Sequence, residues 1–148
     1  MRIVVYGRPA PMGSKSFKGM AGKHAILVES SKYVRPWRIA VSHAAHEARN
    51  GAPPLDEALI VRMIFTLRKP QSAPKNRRTF PSREPDLSKL IRSTEDALTD
   101  AGVWVDDARV VCYERAAKVY PNEGDPEALD SPGVVITIRK REEGEPFW

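Results

Sequence analysis

Cysteine is almost missing: the chain holds one, Cys112, in 148 residues. It has no partner within the chain, which excludes an intrachain disulfide and suits a reducing cytoplasm. Cys112 lies in an apolar run and reads as a small buried hydrophobe. Long hydrophobic runs are missing too. Nothing approaches the ~20 apolar residues of a membrane span, so no membrane association is expected. Met1 to Tyr6 carries one charge and a short apolar run. A signal peptide needs a longer stretch and a small-residue cleavage site. No internal repeat is present. Clustered Cys and His are also absent. His43 and His46 stand three apart in a helical stretch, but no third ligand is near, and they read as surface residues.

What is present fits one domain spanning residues 1–148. A chain of this size buries roughly two-thirds of its unfolded surface and needs no disulfide to fold. Hydrophobic residues make up 41% and charged residues 29%, so the composition is globular. The net charge is +5. Nine basic residues lie between Arg62 and Arg92: Arg62, Arg68, Lys69, Lys75, Arg77, Arg78, Arg83, Lys89 and Arg92. Only two acids, Glu84 and Asp86, share that window, so its local excess exceeds the charge of the whole chain. Such a concentration points to a polyanion partner, or to a solvated loop with scattered charge.

Along the chain, residues 2–6 read as a strand, and Pro9, Pro11, Gly13, Gly19 and Gly22 then break regular structure. This stretch carries Lys15 and Lys18, candidates for phosphate contact. It lacks the glycines of a phosphate-binding P-loop, since Ser14 and Pro9 stand where that motif needs Gly. His24 to Glu29 reads as the second arm of a hairpin. Ser31 to Arg49 reads as a helix, with Pro36 suited to its first turn, so that regular helix starts near Arg35. Trp37, Ala40, Val41, Ala44 and Ala45 recur at helical spacing. Residues 58–68 alternate as a strand, with Leu59, Val61, Met63, Phe65 and Leu67 on one face.

Pro70 to Pro85 is a basic loop too long for a plain connector. A helix follows from about Leu87 to Asp100, with Leu87, Leu90, Ile91, Thr94, Ala97 and Leu98 as its apolar stripe. Val110 to Tyr120 and Val134 to Arg139 read as strands on either side of an acidic loop. The order ββαβαββ implies an α/β (α+β) single domain, a small mixed sheet with two main helices packed on it.

Asp86 and the pair Asp106-Asp107 are the acidic spots of this region. From Leu87 to Thr99 a helix rises ~18 Å. From Asp100 to Asp107 an extended chain covers ~23 Å. A turn at Ala101-Gly102 therefore lets the chain run back along the helix and bring Asp107 toward Asp86. Carboxylates from two segments would suit a hard cation such as Mg²⁺. Beside a basic loop they suit phosphodiester hydrolysis. The alternative reading of each residue is structural: Asp86 as a helix cap, Asp106-Asp107 as turn residues.

The stretch Pro85 to Val111, PDLSKLIRSTEDALTDAGVWVDDARVV, resembles the signature of the RusA-type Holliday-junction resolvases. Asp86-Leu87, Leu90, Asp96-Ala97-Leu98, Ala101-Gly102, Trp104 and Asp106-Asp107 fall in register with that signature without a gap. The resemblance implies a homodimeric, Mg²⁺-dependent endodeoxyribonuclease that makes paired cuts in four-way DNA junctions. It implies catalytic and metal-binding roles for Asp86, Asp107 and Asp106, with Asp107 favoured because neighbours in a strand point to opposite faces.

Two positions depart from the family. Its second aspartate is Ser88 here, and its lysine one turn further on is Arg92. A serine hydroxyl is a poorer ligand, and Glu84 is a candidate substitute carboxylate. Arg92 still stabilises phosphate charge but shuttles no proton. Ser88 and Arg92 lie four apart and face one site. Lys15, Lys18, Lys69, Lys75, Arg77, Arg78, Arg83 and Lys89 are the expected DNA contacts. The two departures also support a second reading, a branched-DNA-binding module with weak or no cleavage.

Overall fold

The apolar periodicities above dictate two helices that must each bury one stripe and strands that must pair to satisfy their backbone. The computed structural model describes residues 1–12 and 21–146, and for residues 21–31 the backbone alone. Lys15 and Lys18 lie outside the described residues. The elements run β1 (Arg2–Tyr6), α1 (Ala21–Arg49), β2 (Leu59–Thr66), α2 (Leu87–Asp100), a 3₁₀ turn at Asp107–Arg109, β3 (Val110–Val119) and β4 (Gly133–Lys140). The sheet order is β1-β4-β2-β3. β4 is antiparallel to β1 and β2, whereas β2 and β3 are parallel. A parallel neighbour needs a long crossover, and α2 lies in it. The product is a small α+β domain with a mixed sheet and two helices, as the sequence implies.

One expectation is corrected. Residues 24–29 are not a hairpin arm, because the backbone is helical from Ala21. Pro36 therefore lies inside α1 rather than in its first turn. A proline there removes one hydrogen bond and crowds the preceding turn. Tyr33 and Val34, just before it, are packed against the core. That packing holds the helix through the proline.

Both helices cover the same sheet face. α1 contributes Trp37, Val41 and Ala45, and α2 contributes Leu90, Ala97 and Leu98. They meet Ile3, Val5, Val61, Met63, Phe65, Ile136 and Ile138 of the sheet. Fully burying a side chain the size of Leu or Phe contributes about 1.5–3 kcal/mol. Trp37 donates to Thr94 Oγ1 at 3.2 Å, tying α1 to α2. Trp104 donates to Thr99 Oγ1 at 2.7 Å. Both indoles are core residues, as their apolar stripes imply.

The second face of the sheet is covered as well. Ile60 and Ile64 are buried beneath the loop between β3 and β4. There Leu129 N–H donates to Thr66 Oγ1 at 2.9 Å.

The chain turns back after α2 where the sequence places a turn. Gly102 has φ +74°, the left-handed region that glycine enters without strain. Its N–H bonds Thr99 O, and Val103 N–H bonds Leu98 O, the pattern of a Schellman stop. Residues 103–105 then pair with Leu55 and deliver Asp106-Asp107 to the start of β3. No helix among the described residues is long and apolar enough to cross a membrane.

Candidate active site

The N-terminus of α2 carries Asp86 in extended geometry, with no side-chain cap hydrogen bond. The cap alternative is therefore realised by its backbone alone, and the half-exposed carboxylate stays available. Its ion partner is Lys89, at 3.4 Å. Ser88 and Arg92 are exposed one turn apart. Glu95 follows at helical spacing, seven residues from Ser88 and three from Arg92, so all three share one stripe.

Glu95 and Tyr113 carry the main surprise of the site. Tyr113 of β3 donates to Glu95 Oε2 at 2.5 Å. Burial pushes the Glu95 carboxyl above the usual range; the Tyr113 hydrogen bond opposes this, and the charges of Asp107 and Asp96 add to it. Burial and the Glu95 contact likewise raise the Tyr113 phenol. Sequence reading missed this pair. A helical projection of α2 would have placed Glu95 on the Ser88–Arg92 stripe, but nothing local announces its strand partner.

Asp106 caps the 3₁₀ turn, accepting from Ala108 N–H at 2.7 Å. The chain bends here instead of running straight, so the two aspartates are not held on opposite faces. The Ala108 N–H lowers the Asp106 carboxyl, and a hydrogen bond from a protonated Asp107 adds to it. Partial desolvation raises Asp107, followed by the bond to Asp106 and the charges of Asp106 and Asp96. The two titrate as a unit. Asp96 is half-buried and bears on Asp107 and Glu95. No ion pair joins it to Arg92, one turn back, among the described residues.

The described interactions thus join Asp107 to Asp106, Asp96 and Glu95, and Asp86 to Lys89. Among the described residues no hydrogen bond or ion pair joins Asp86 to Asp107. Glu95 and Asp96 come nine and ten residues after Asp86, ~13–15 Å further along the helix axis. No group of three or more His, Cys, Asp or Glu closes on one metal-sized site among the described residues. What the fold does bring together is the Asp106–Asp107 pair. Two adjoining carboxylates are hard oxygen donors that suit a divalent cation completed by phosphate and water.

The basic loop divides into committed and free cations. Lys69 is paired with Glu123, which also accepts from Thr79 N–H at 2.9 Å. Arg78 lies 3.7 Å from Asp125 and over the Phe80 ring. Glu123 and Asp125 belong to the acidic loop before β4. There Asp125 also holds Arg115 at 2.6 Å, and Glu127 pairs with Arg62 and Arg115. Lys75, Arg77 and Arg83 are exposed and form no ion pair among the described residues. Cys112 is half-buried rather than buried. His43 is exposed and lies 3.5 Å from Glu47.

The chain belongs to the RusA endodeoxyribonuclease family: the family model Endodeoxyribonuclease RusA matches residues 7–139. No curated protein matches the chain.

Proposed function

We propose that this protein is a Mg²⁺-dependent endodeoxyribonuclease that resolves four-way DNA junctions as a homodimer, in cytoplasmic recombination, repair or phage DNA processing. Family membership over residues 7–139 carries the reading. A two-fold dimer would match the near two-fold junction and set one site on each of two strands.

In this reading Asp106 and Asp107 hold the cation. Bound Mg²⁺ would acidify a water and neutralise charge on the scissile phosphate. Asp86, at the start of α2, is the further catalytic and metal-binding carboxylate that the family signature implies. Ser88 offers a hydroxyl beside it. Arg92 holds a phosphate oxygen through a guanidinium that stays charged. Lys75, Arg77, Arg83 and Lys89, with Lys15 and Lys18, follow the DNA backbone.

The test is cleavage of four-way, flap and linear DNA with and without Mg²⁺. Asp107→Asn and Asp106→Asn should each abolish Mg²⁺-dependent products, and Asp86→Asn should reduce them at least tenfold. Products that survive Asp107→Asn would overturn the assignment. Ser88 and Arg92 favour the second reading, a module that holds branched DNA without cutting it. It expects tight, salt-sensitive junction binding and no products with Mg²⁺.

A further inference from the structure

Lys118 lies at the far end of the site from Asp107. In the β2–β3 register it sits opposite Phe65. Paired residues on neighbouring strands share a face, so Lys118 leaves the sheet on the side that Phe65 buries and the helices cover. Five residues earlier on the same strand, Tyr113 reaches Glu95. β3 therefore runs antiparallel to α2, from its C-terminal half back to its start. Lys118 is half-buried, and long cationic side chains commonly bury the stem while keeping the head in water.

The head lands on the last carbonyls of the basic loop. Nζ donates to Arg83 O and to Pro85 O, each at 2.9 Å. Pro85 directly precedes Asp86. No carboxylate pairs with Lys118 among the described residues. An ammonium has three donors and no acceptor. Two are used, and one N–H and the whole positive charge are left beside the residue that opens α2. Burying a stem to place an unpaired cation next to a helix N-terminus is electrostatically unfavourable. An anion would relieve it.

We propose that Lys118 is a phosphate-holding residue of the DNA-cutting site, its ammonium locking the exit of the basic loop and giving its third N–H to a DNA phosphate beside Asp86. The proposal deepens the nuclease reading and rests on it.

The experiment measures binding of a synthetic four-way junction in EDTA between about 50 and 200 mM salt. Wild type, Lys118→Met and Lys118→Arg are compared, each with its thermal midpoint. Losing one phosphate contact flattens the log–log salt slope by about 0.9. The Lys118→Met defect should then be roughly three- to fourfold smaller at 200 mM than at 50 mM. Lys118→Arg should restore the wild-type slope. A lower thermal midpoint with an unchanged slope would show a purely structural lysine and overturn the proposal.

If Lys118→Met does not fold, amine acetylation of the wild-type chain, read by mass spectrometry, decides. Junction DNA should protect Lys118, and equal labelling with and without DNA overturns the proposal. The nuclease reading fails separately, on the absence of Mg²⁺-dependent products from the wild type, whatever the slope shows.

Discussion

Tyr113 and Glu95 stand 18 residues apart in the chain, yet a 2.5 Å hydrogen bond joins them across the gap between β3 and α2. The bond fixes a half-buried carboxyl next to Asp96 and Asp107. Burial and both like charges push that carboxyl up, and only the phenol pulls it down. A fold chosen for stability alone would fill this place with an apolar or amide side chain. Perturbed carboxyls of this kind concentrate where proteins act rather than where they merely pack.

The first prediction follows from the sign of that shift. The folded state holds the Glu95 proton more tightly than the unfolded chain does. Glu95 therefore costs stability above its raised folded value, and the penalty fades as pH falls through and below it. Glu95→Gln is neutral at every pH and still accepts from Tyr113. Its thermal midpoint should exceed the wild type's at pH 8, by a few degrees at most, and match it near pH 4. A lower midpoint at pH 8 would mean that charge–phenol attraction outweighs burial.

Cation binding gives the second prediction. A metal competes with protons for its ligands, and Asp107 lies above the ordinary carboxylate range. Mg²⁺ or Mn²⁺ affinity should rise with pH through that raised value and level off above it. Calorimetric titration at points from about pH 3.5 to pH 7 checks the trend. Asp96→Asn removes a like charge from Asp107, so it should shift the rise to lower pH and weaken binding severalfold at neutral pH. An affinity that does not change from about pH 3.5 to pH 7 would separate Asp107 from the cation.

The helix α2, its stop at Gly102 and the acidic pair beyond were legible because each has a local cause. An apolar stripe sets the helix, a glycine permits the left-handed turn, and an unbroken register carries Asp86 to Asp107. What escaped was decided by partners remote in sequence. Residues 24–29 read as strand from their apolar run, but nothing local told that run from the start of α1. Lys69 read as a free cation because Glu123 is 54 residues away. Glu95 drew no reading from the sequence because Tyr113 lies on another element. The chain-length estimate allowed Asp107 to approach Asp86, and nothing local announced that the charge of Asp107 would also bear on Glu95.

The third prediction concerns the acidic loop. Asp125 is 4% exposed and takes a 2.6 Å bond from Arg115, with Glu127 N–H on its other oxygen at 2.9 Å. The Arg115 guanidinium holds its carboxyl below the ordinary range. A lowered carboxylate stabilises the fold above its unfolded value, and that contribution is lost as pH falls through the folded one. Asp125→Asn should cost about 2 kcal/mol at pH 7, the scale of a charged hydrogen bond removed from a buried site. The gap to wild type should begin to narrow below about pH 4 and close only as pH falls through the lowered folded value. Denaturant melts at pH 7 and at about pH 2 measure both.

The last prediction separates the two kinds of cation in the basic loop. Arg77 is exposed and makes no ion pair among the described residues, so it can meet a phosphate without breaking anything. Lys69 is committed: its head is paired with Glu123, whose carboxyl that ammonium and the Thr79 N–H together hold low. DNA would have to displace Glu123 to reach Lys69. Arg77→Ala should leave the thermal midpoint unchanged and flatten the salt dependence of junction binding by about one contact, equally for all sequences. Lys69→Ala strips Glu123 of its cation, so it should lower the midpoint and leave the salt slope near wild type. The opposite pattern, a flattened slope for Lys69→Ala and none for Arg77→Ala, would mean that the acidic loop yields its lysine to DNA and that the backbone runs on the inner side of residues 69–78.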